Sequence, residues 1–453
     1  MAQDRDAMMP PEEALSGSLR DYREPSGADL LGRVEPFFRW QDLRRQNHLW
    51  PYSRATAEAP AAVCGAIEDT GERIAGINFG SQDYLSLASH PAIKDAAKAA
   101  IDAYGVHSAG SAAFIGNTRY SLALEGAIAD FMGMAETVLY PTGWAAGFGV
   151  IKGLVRSHDH VVMDGLAHSC LQEGAFAATR NVHLHGHLNV ASARRHLARI
   201  RKRDAENAIL VVTESLFSMD SDTPDIAAMQ ALAREFKATL LVDCAHDLGN
   251  LGEDGRGHIG LQQMTGRVDI VMGSFSKTFA TNGGFVCCNA PAVREYLKYY
   301  SAPQTFSNAL SPVQAAVALK ALEIVRCDEG RALRAELMGN IVDLRRQLQQ
   351  AGFEVNGEPS AIVPVMIREE GLARLIAARL PGLGVVANLV EYPAVAKGSA
   401  RFRFQVMAKH DRQSIERVVA RLGQALDAAQ QVYRPQRPAA APGTSSLAVA
   451  FGG

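Results

Sequence analysis

Short apolar segments alternate with helical or loop segments through the middle of the chain. The apolar segments include TVLYPTG, HVVMDG, AILVVTES, TLLVDCAH, DIVMGSFSK and GFVCCN. Strands that are apolar on both faces are typical of a mostly parallel sheet that helices cover on both sides. The alternation therefore predicts a doubly wound α/β sheet. Ligands of such sheets bind beyond the carboxyl ends of the strands, so the polar residues that follow the strands are candidate site residues.

Amphipathic helices replace this alternation after about residue 320. Ile341, Leu344 and Leu348 recur at helical spacing, and so do the apolar residues between Ile415 and Leu426. Two short segments, AIVPVMI and RFRFQVM, have the composition of strands. The pattern indicates a second, smaller α+β domain.

Both ends of the chain are rich in Pro, Ser and Gly and poor in large apolar residues, so they bury too little surface to become ordered. We expect five segments along the chain: a flexible arm over 1–30, a segment over 31–90 that packs on the dimer or the active site, a large domain over 91–320, the α+β domain over 321–432, and a flexible tail over 433–453.

The composition favours a small-molecule substrate and a reducing compartment. The 453 residues include 46 Lys and Arg against 48 Asp and Glu, so no net charge attracts nucleic acid. The six cysteines contain no C-x-x-C pair, which disfavours zinc and redox sites. The N-terminus is unlike a signal peptide, and no apolar run reaches the roughly 18 residues that span a bilayer. We expect a cytoplasmic protein with no metal, no nucleic-acid partner and no stable membrane insertion.

One lysine directly follows a predicted buried strand. In VMGSFSKTFATNGGF, Lys277 lies among hydroxyl residues and ahead of a glycine pair. Burial favours the neutral amine, which is the form that attacks an aldehyde to make a Schiff base. The hydroxyls of Ser274, Ser276 and Thr278 can hold a phosphate. An ordinary loop lysine is the alternative, and this motif alone does not decide between the two.

A carboxylate and a histidine follow the neighbouring apolar segment, LLVDCAHD. Asp243 ends the strand and can pair with a pyridinium nitrogen, which keeps that ring an electron sink. His246 can hydrogen-bond a ring hydroxyl, although a buried histidine bonded only to backbone would show the same pattern. Together with Lys277, the pair indicates a pyridoxal phosphate (PLP) site.

Two further turns carry weaker signals. Thr142, Gly143 and Trp144 end one strand and open a helix, whose N-terminal amides can bind phosphate. A simple strand-to-helix turn is the alternative. His168, in DGLAHSC, can lie over a planar cofactor ring, although a lone histidine is more often structural.

Taken together, seven segments resemble the successive blocks of the α-oxoamine synthase family and follow that family's order from about residue 76 to 425. They are YGVHSAGSAAFIGNTRYSLALE, PTGWAAGFG, DGLAHSC, TESLFSMDSD, VDCAHDLGNLGEDGRG, SFSKTFATNGGF and ARFRFQVMAKH. Two stretches, FATNGGFVCCN and SAIVPVMI, look most like the bacterial serine palmitoyltransferases of that family. The resemblance implies a fold-type I PLP-dependent transferase: a large domain with a mostly parallel seven-stranded sheet, a smaller α+β C-terminal domain, and a homodimer with sites at the subunit interface.

The resemblance also implies roles for individual residues. Lys277 would carry PLP as a Schiff base, Asp243 would pair with the pyridine nitrogen, and His246 would contact the ring hydroxyl. His168 would stack on the ring, and Arg403 would bind the amino-acid carboxylate. The remaining cofactor contacts would be Thr142, Gly143, Trp144, Ser218, Ser274 and the partner subunit's Ser307.

The chain departs from the family pattern at positions that bear on substrate. Gln82 replaces an asparagine near the substrate, and His107 stands where a glycine is usual. Cys244 replaces the glutamate of the usual D-E-A-H, and Asp247 follows where serine or threonine is common, but both changes leave Asp243 and His246 in place. These departures leave the amino acid and the acyl donor open.

The implied reaction is a decarboxylative Claisen condensation in a biosynthetic pathway. A small amino acid (serine, alanine or glycine) would lose its α-proton to Lys277 and join an acyl thioester on CoA or an acyl carrier protein, giving an α-amino ketone. Another fold-type I PLP reaction, such as transamination, is the main alternative. A non-catalytic partner subunit would not need Lys277, Asp243 and His246 together. A Rossmann dehydrogenase is disfavoured because no G-x-G-x-x-G follows the first strand.

Overall fold

The computed structural model describes residues 10–433; residues 1–9 and 434–453, where parts of the flexible arm and tail were expected, lie outside this range. The strands are β1 Ala55–Thr56, β2 Val63–Ile67, β3 Arg73–Asn78, β4 Glu136–Tyr140, β5 His160–Asp164, β6 Val182–His185, β7 Ile209–Glu214, β8 Thr239–Asp243, β9 Ile270–Ser274, β10 Gly284–Cys288, β11 Glu354–Val355, β12 Ile362–Arg368, β13 Val385–Val386, β14 Asn388–Val390 and β15 Ala400–Gln405.

The α-helices are α1 Glu12–Leu15, α2 Glu35–Gln46, α3 Pro91–Tyr104, α4 Arg119–Met132, α5 Gly143–Leu154, α6 Ser169–Ala178, α7 Val190–Arg203, α8 Ile226–Glu235, α9 Gly257–Leu261, α10 Pro291–Tyr300, α11 Ala302–Thr305, α12 Pro312–Arg326, α13 Asp328–Gln350, α14 Glu370–Arg379 and α15 Arg412–Val432. Short 3₁₀ helices cover Leu19–Tyr22, Gly32–Val34 and Pro381–Leu383. No helix within residues 10–433 is long and apolar enough to cross a membrane.

The described chain divides into two compact units. The larger unit is Gln82–Met338, and the smaller unit combines the residues through Ser81 with those from Gly339 onward. The five segments expected from the sequence remain a prediction.

A seven-stranded sheet forms the centre of the larger unit, with the strand order β4-β10-β9-β8-β7-β5-β6. Strands β6, β5, β7, β8 and β9 are parallel neighbours, and β10 runs antiparallel to both β9 and β4. Every residue of β7, β9 and β10 is buried. The sequence-based prediction of a mostly parallel seven-stranded sheet with apolar central strands is therefore confirmed.

Polar caps fix where the helices of this unit begin. The side chains of Thr142, His168, Asn189 and Asp225 each accept a hydrogen bond from a backbone N–H in the first turn of α5, α6, α7 and α8, respectively. Such a cap supplies a partner for an N–H that the helix itself cannot satisfy, and it is worth about 1 kcal/mol. Since each cap follows a strand, the helix starts are set at the carboxyl edge of the sheet.

The smaller unit contains two four-stranded sheets, in the orders β1-β2-β3-β13 and β11-β12-β15-β14. Its N-terminal part is anchored by buried charge. Arg374 donates to Glu391 at 2.6 Å and to the carbonyl oxygens of Leu15 and Gly17, and Arg44 lies 3.5 Å from the other oxygen of Glu391. These bonds hold part of the segment that the sequence predicts to be flexible.

Candidate active site

Polar residues end three neighbouring strands of the seven-stranded sheet. Glu214, Asp243 and Ser274 are the last residues of β7, β8 and β9. Glu214 and Asp243 are direct partners in the parallel register, so their side chains leave adjacent strands at the same edge. This edge is where ligands bind in a doubly wound sheet.

Lys277 is presented by a tight turn just beyond β9. Phe275 and Phe279, on either side of it, are fully buried and pack edge to face at 5.6 Å. The backbone turns back through hydrogen bonds from Ala280 N to Lys277 O at 3.2 Å and from Phe275 N to Gly283 O at 2.9 Å. The two aromatic anchors fix the lysine between them, half-buried, at the sheet edge.

Asp243 is a buried carboxylate within electrostatic range of this lysine. Burial raises the pKa of Asp243 to about 6, while the charge of Lys277 and a hydrogen bond from Ala245 N oppose that rise. A carboxylate that is costly to keep charged in isolation is well suited to a cationic partner such as a pyridinium nitrogen.

Glu214 is a second buried carboxylate, which the sequence analysis did not single out. Burial raises its pKa well above the usual value, and the neighbouring charge of Asp243 raises it further. Its Oε1 accepts a hydrogen bond of 2.6 Å from the backbone N–H of His168. Glu214 therefore fixes the backbone that carries His168.

His168 caps α6 with its imidazole ring. Its Nδ1 accepts a hydrogen bond from Cys170 N at 3.3 Å. Nδ1 also lies 3.0 Å from Cys170 Sγ. The start of α6 thus holds the ring in one orientation.

His246 contacts Tyr84, a fully buried residue that the sequence analysis did not assign to the site. The Tyr84 hydroxyl lies 3.1 Å from His246 Nδ1. Asn250 Nδ2 donates both to the carbonyl of His246 at 2.9 Å and to Thr278 Oγ1 at 3.0 Å. These bonds join the turn after β8 to the turn that carries Lys277.

The start of α5 lies unusually close to the end of β9. A Cβ atom placed on Gly143 would lie less than 3.0 Å from both Cβ and Oγ of Ser274, and one on Gly284 would lie 2.6 Å from Thr142 O. Ser274 Oγ is 2.7 Å from Ser276 Oγ. The glycines therefore allow two serine hydroxyls and the N-terminal amides of a 12-residue helix to converge, as a phosphate site requires.

The other predicted site residues lie in several places. Trp144 is half exposed on the first turn of α5 and stacks on Phe148 at 5.1 Å. Ser218 is buried in the turn after β7. His107 Nε2 lies 3.0 Å from Asn308 Nδ2, which brings the exposed loop before α4 next to the loop that holds Ser307.

Two predicted substrate residues lie at the limits of the larger unit or outside it. Gln82 is the first residue of the larger unit and is partly buried. Arg403 belongs to β15 of the smaller unit, where it pairs in register with Pro364 and Asn388. The roles of both residues stay predictions.

Comparison with known proteins identifies the class of this site. Residues 74–422 match the family model described as aminotransferase class I and II. The chain is 35% identical over 343 residues to an 8-amino-7-oxononanoate synthase from Trichlorobacter lovleyi, covering 76% of this chain and 86% of the relative. It is 33% identical over 352 residues to a serine palmitoyltransferase from Sphingobacterium spiritivorum, covering 78% and 86%.

A solved structure extends this likeness to the fold. Serine palmitoyltransferase from S. paucimobilis, solved with a bound PLP–myriocin aldimine, superposes with a TM-score of 0.82 at 27% identity, over 89% of this chain and 100% of that one. The fold is therefore that of the fold-type I PLP-dependent transferases. The chain belongs to the α-oxoamine synthase family, and the resemblance deduced from the sequence is confirmed.

The described residues fit PLP, the cofactor of this family. Lys277 supplies an amine at the sheet edge, and Asp243 supplies a buried carboxylate whose pKa is raised by burial to about 6. Because Gly143 has no side chain, the α5 N-terminus lies directly against Ser274, and the amides of the first helical turn and the serine hydroxyl are close enough to hold one phosphate. Among residues 10–433, no group of three or more His, Cys, Asp or Glu is arranged to hold a metal ion.

Proposed function

We propose that the protein condenses a small amino acid with an acyl thioester and releases carbon dioxide, giving an α-amino ketone. The amino acid is serine, alanine or glycine, and the acyl group arrives on CoA or an acyl carrier protein. The observation that carries the proposal is that Lys277 and the buried Asp243 lie at the same edge of the sheet and interact electrostatically. The chain is also 35% identical to an 8-amino-7-oxononanoate synthase and 33% identical to a serine palmitoyltransferase.

PLP, when bound, supplies an aldehyde that joins the amino group of the substrate and a ring that delocalises the carbanion charge. Lys277 would hold that aldehyde through its amine until the amino group of the substrate displaces it, and the freed Nζ would then accept the α-proton of the substrate. Asp243 would hold a proton on the ring nitrogen of the cofactor. His246, which contacts the Tyr84 hydroxyl, would donate to the ring hydroxyl, and His168 would lie against the ring.

The remaining site residues bind and orient. Thr142, Gly143 and Ser274 hold the phosphate at the α5 N-terminus, with Trp144 and Ser218 beside the ring. Arg403 binds the substrate carboxylate through two parallel hydrogen bonds from its guanidinium group. Gln82 and His107 are the residues through which this chain selects its amino acid or acyl donor, since both depart from the family pattern.

We further propose that the site is completed in a homodimer, with the partner subunit's Ser307 reaching the phosphate. Large apolar side chains beside this loop support the proposal, because Phe114, Ile115 and Phe306 are 85–87% exposed in the single chain. Exposure of this extent is costly in water and typical of a subunit interface. The cytoplasm is the proposed location, since all six cysteines are free thiols.

Thiol release tests the reaction directly. The PLP-loaded protein is mixed with one acyl-CoA and, in separate assays, with serine, alanine or glycine, and free CoA is titrated with a thiol reagent. One amino acid is expected to release CoA and carbon dioxide in equal amounts, and Lys277→Ala is expected to abolish both. Lys320→Ala, which alters a partly exposed lysine on α12, is the matched control and is expected to keep full activity. Formation of a keto acid without thiol release would instead indicate an aminotransferase.

A further inference from the structure

His187 connects three loops at the carboxyl edge of the sheet. It lies between β6 and α7, and its ring contacts a residue from each of two other connections. Nδ1 is 2.9 Å from Oδ1 of Asp164, the last residue of β5, and Nε2 is 3.0 Å from Oδ2 of Asp222, in the loop between β7 and α8. We call these three residues the His187 bridge.

The geometry of the bridge fixes its charge. An ionised carboxylate only accepts hydrogen bonds, so both ring nitrogens must donate, and the ring must be an imidazolium. Burial alone would lower the pKa of His187, but the hydrogen bonds and charges of Asp164 and Asp222 raise it to about 10. The bridge is therefore intact throughout the neutral pH range.

One end of the bridge is tied to the loop that carries His168. Asp164 is fully buried, and its carboxylate also accepts from the backbone N–H groups of Leu166 and Leu188, each at 2.9 Å. The same carboxylate thus holds the loop after β5 and the loop of His187. Four residues beyond Asp164, the backbone of His168 is held in turn by Glu214.

The other end is tied to the loop that carries Ser218. Phe217 packs its ring edge to face against His187 at 4.6 Å, and the backbone N–H of Phe217 donates to Asp222 O at 2.9 Å. Oδ1 of Asp222 is buried without a hydrogen-bond partner among the described residues, so its carboxylate depends on His187. The turn from Phe217 to Asp222, which contains Ser218, is closed against the ring.

We propose that His187 is a positioning residue of the active site, which sets the loop of His168 and the loop of Ser218 at a fixed separation by bridging Asp164 and Asp222. The proposal rests on the proposed function for its kinetic consequence. It goes beyond that function in assigning a role to a residue that touches neither cofactor nor substrate.

The same strand provides a matched control. His160, the first residue of β5, also donates to a carboxylate, with Nε2 at 2.9 Å from Asp204 Oδ2, and it is likewise partly buried. It lies four residues from Asp164, roughly 13 Å along the strand, at the opposite edge of the sheet. His160→Gln removes the same kind of bond as His187→Gln but away from the site.

The test compares the two glutamine variants in two readouts. Hydrogen exchange of the cofactor-free protein is expected to accelerate at least tenfold over both 164–168 and 217–222 in His187→Gln, and to stay unchanged there in His160→Gln. In the PLP-loaded protein, kcat for thiol release is expected to fall at least tenfold in His187→Gln and to stay within twofold in His160→Gln, with PLP bound in both. Asp222→Ala, which removes one acceptor of the bridge, should reproduce the exchange of 217–222 if His187→Gln folds poorly.

Either readout can overturn the proposal. Faster exchange confined to the β6–α7 loop would show that the bridge holds neither of the other loops. An unchanged kcat in a variant with accelerated loop exchange would show that the loops do not depend on the bridge for their working positions. If the unmodified protein releases no thiol with any of the three amino acids, the proposed function fails, and the exchange experiment alone decides the role of His187.

Discussion

Replacing Gly143 by alanine tests the close approach of α5 to β9. The added Cβ would lie less than 3.0 Å from Ser274 Cβ and Oγ and 3.2 Å from Ser274 Cα, where ordinary contacts begin near 3.4 Å. The helix start or the end of β9 must therefore move by about 0.5–1 Å. Overpacking of this kind costs about 1–3 kcal/mol, so we expect the melting temperature of a chain this long to fall by roughly 1–3 °C.

The same displacement should weaken cofactor binding. The amides of the first turn and the hydroxyl of Ser274 would no longer converge, and each hydrogen bond lost to a charged phosphate is worth about 1.5–3 kcal/mol. We expect the Kd for PLP, measured by titrating its visible absorbance, to rise by roughly 10- to 100-fold. Gly126→Ala on α4 is the control, because nothing lies within 4 Å of its Cβ position, and it should leave the Kd unchanged.

A second substitution separates packing from phosphate binding. Ser274→Gly in the Gly143→Ala background removes the two nearest clashing atoms, so the melting temperature should largely recover. The Kd should stay high, since the serine hydroxyl is lost. A Gly143→Ala variant with the Kd and melting temperature of the unmodified protein would refute the assignment of this cradle to the phosphate.

Three further predictions concern buried charge. Asp243→Asn should stabilise the cofactor-free protein by about 1–3 kcal/mol above pH 6, because a carboxyl whose pKa is raised to about 6 destabilises the fold when it is ionised. This gain in stability should vanish as the pH falls toward 4. Chemical denaturation at each pH measures the free energy of unfolding. The stability difference between the unmodified protein and His187→Gln should be largest below pH 6.5 and should shrink as the pH rises to about 10, where His187 loses its proton. Arg374→Ala should lower the free energy of unfolding by about 3–5 kcal/mol, because it removes one of the two cationic partners of the buried Glu391. The same change removes the hydrogen bond to Leu15 O, so residues 12–22 should become accessible to limited proteolysis.

The seven-stranded sheet could be predicted because its central strands are buried on both faces and read as continuous apolar segments. The same segments end in Asp243 and Ser274, so the position of these residues at the carboxyl edge could also be predicted. In the smaller unit, β13 pairs in parallel with β3 although Val385 and Ile77 are more than 300 positions apart. Two-residue and three-residue strands such as β13 and β14 are too short to show a periodicity.

The contacts that support the site could not be predicted, because their partners are far apart in the sequence. The Tyr84 hydroxyl meets His246 across 162 positions of sequence, and nothing in either motif points to the other. His187 meets Asp164 and Asp222 across 23 and 35 positions, and its motif is an ordinary polar turn. Glu214 follows Thr213 at the end of a buried strand, and only the pairing of β7 with β8 places it beside Asp243.

The charges at this sheet edge have a consequence for the loaded enzyme. Burial raises the pKa of both Glu214 and Asp243, and the charge of Lys277 partly opposes the rise at both carboxyl groups. Burial and the charge of Asp243 both raise the pKa of Glu214, whereas the hydrogen bond from the backbone N–H of His168 lowers it. The contact that holds the backbone of His168 therefore also favours the ionised form of Glu214. In the loaded enzyme Asp243 would have a further cationic partner in the ring nitrogen, so the two acids would differ in the charge that surrounds them.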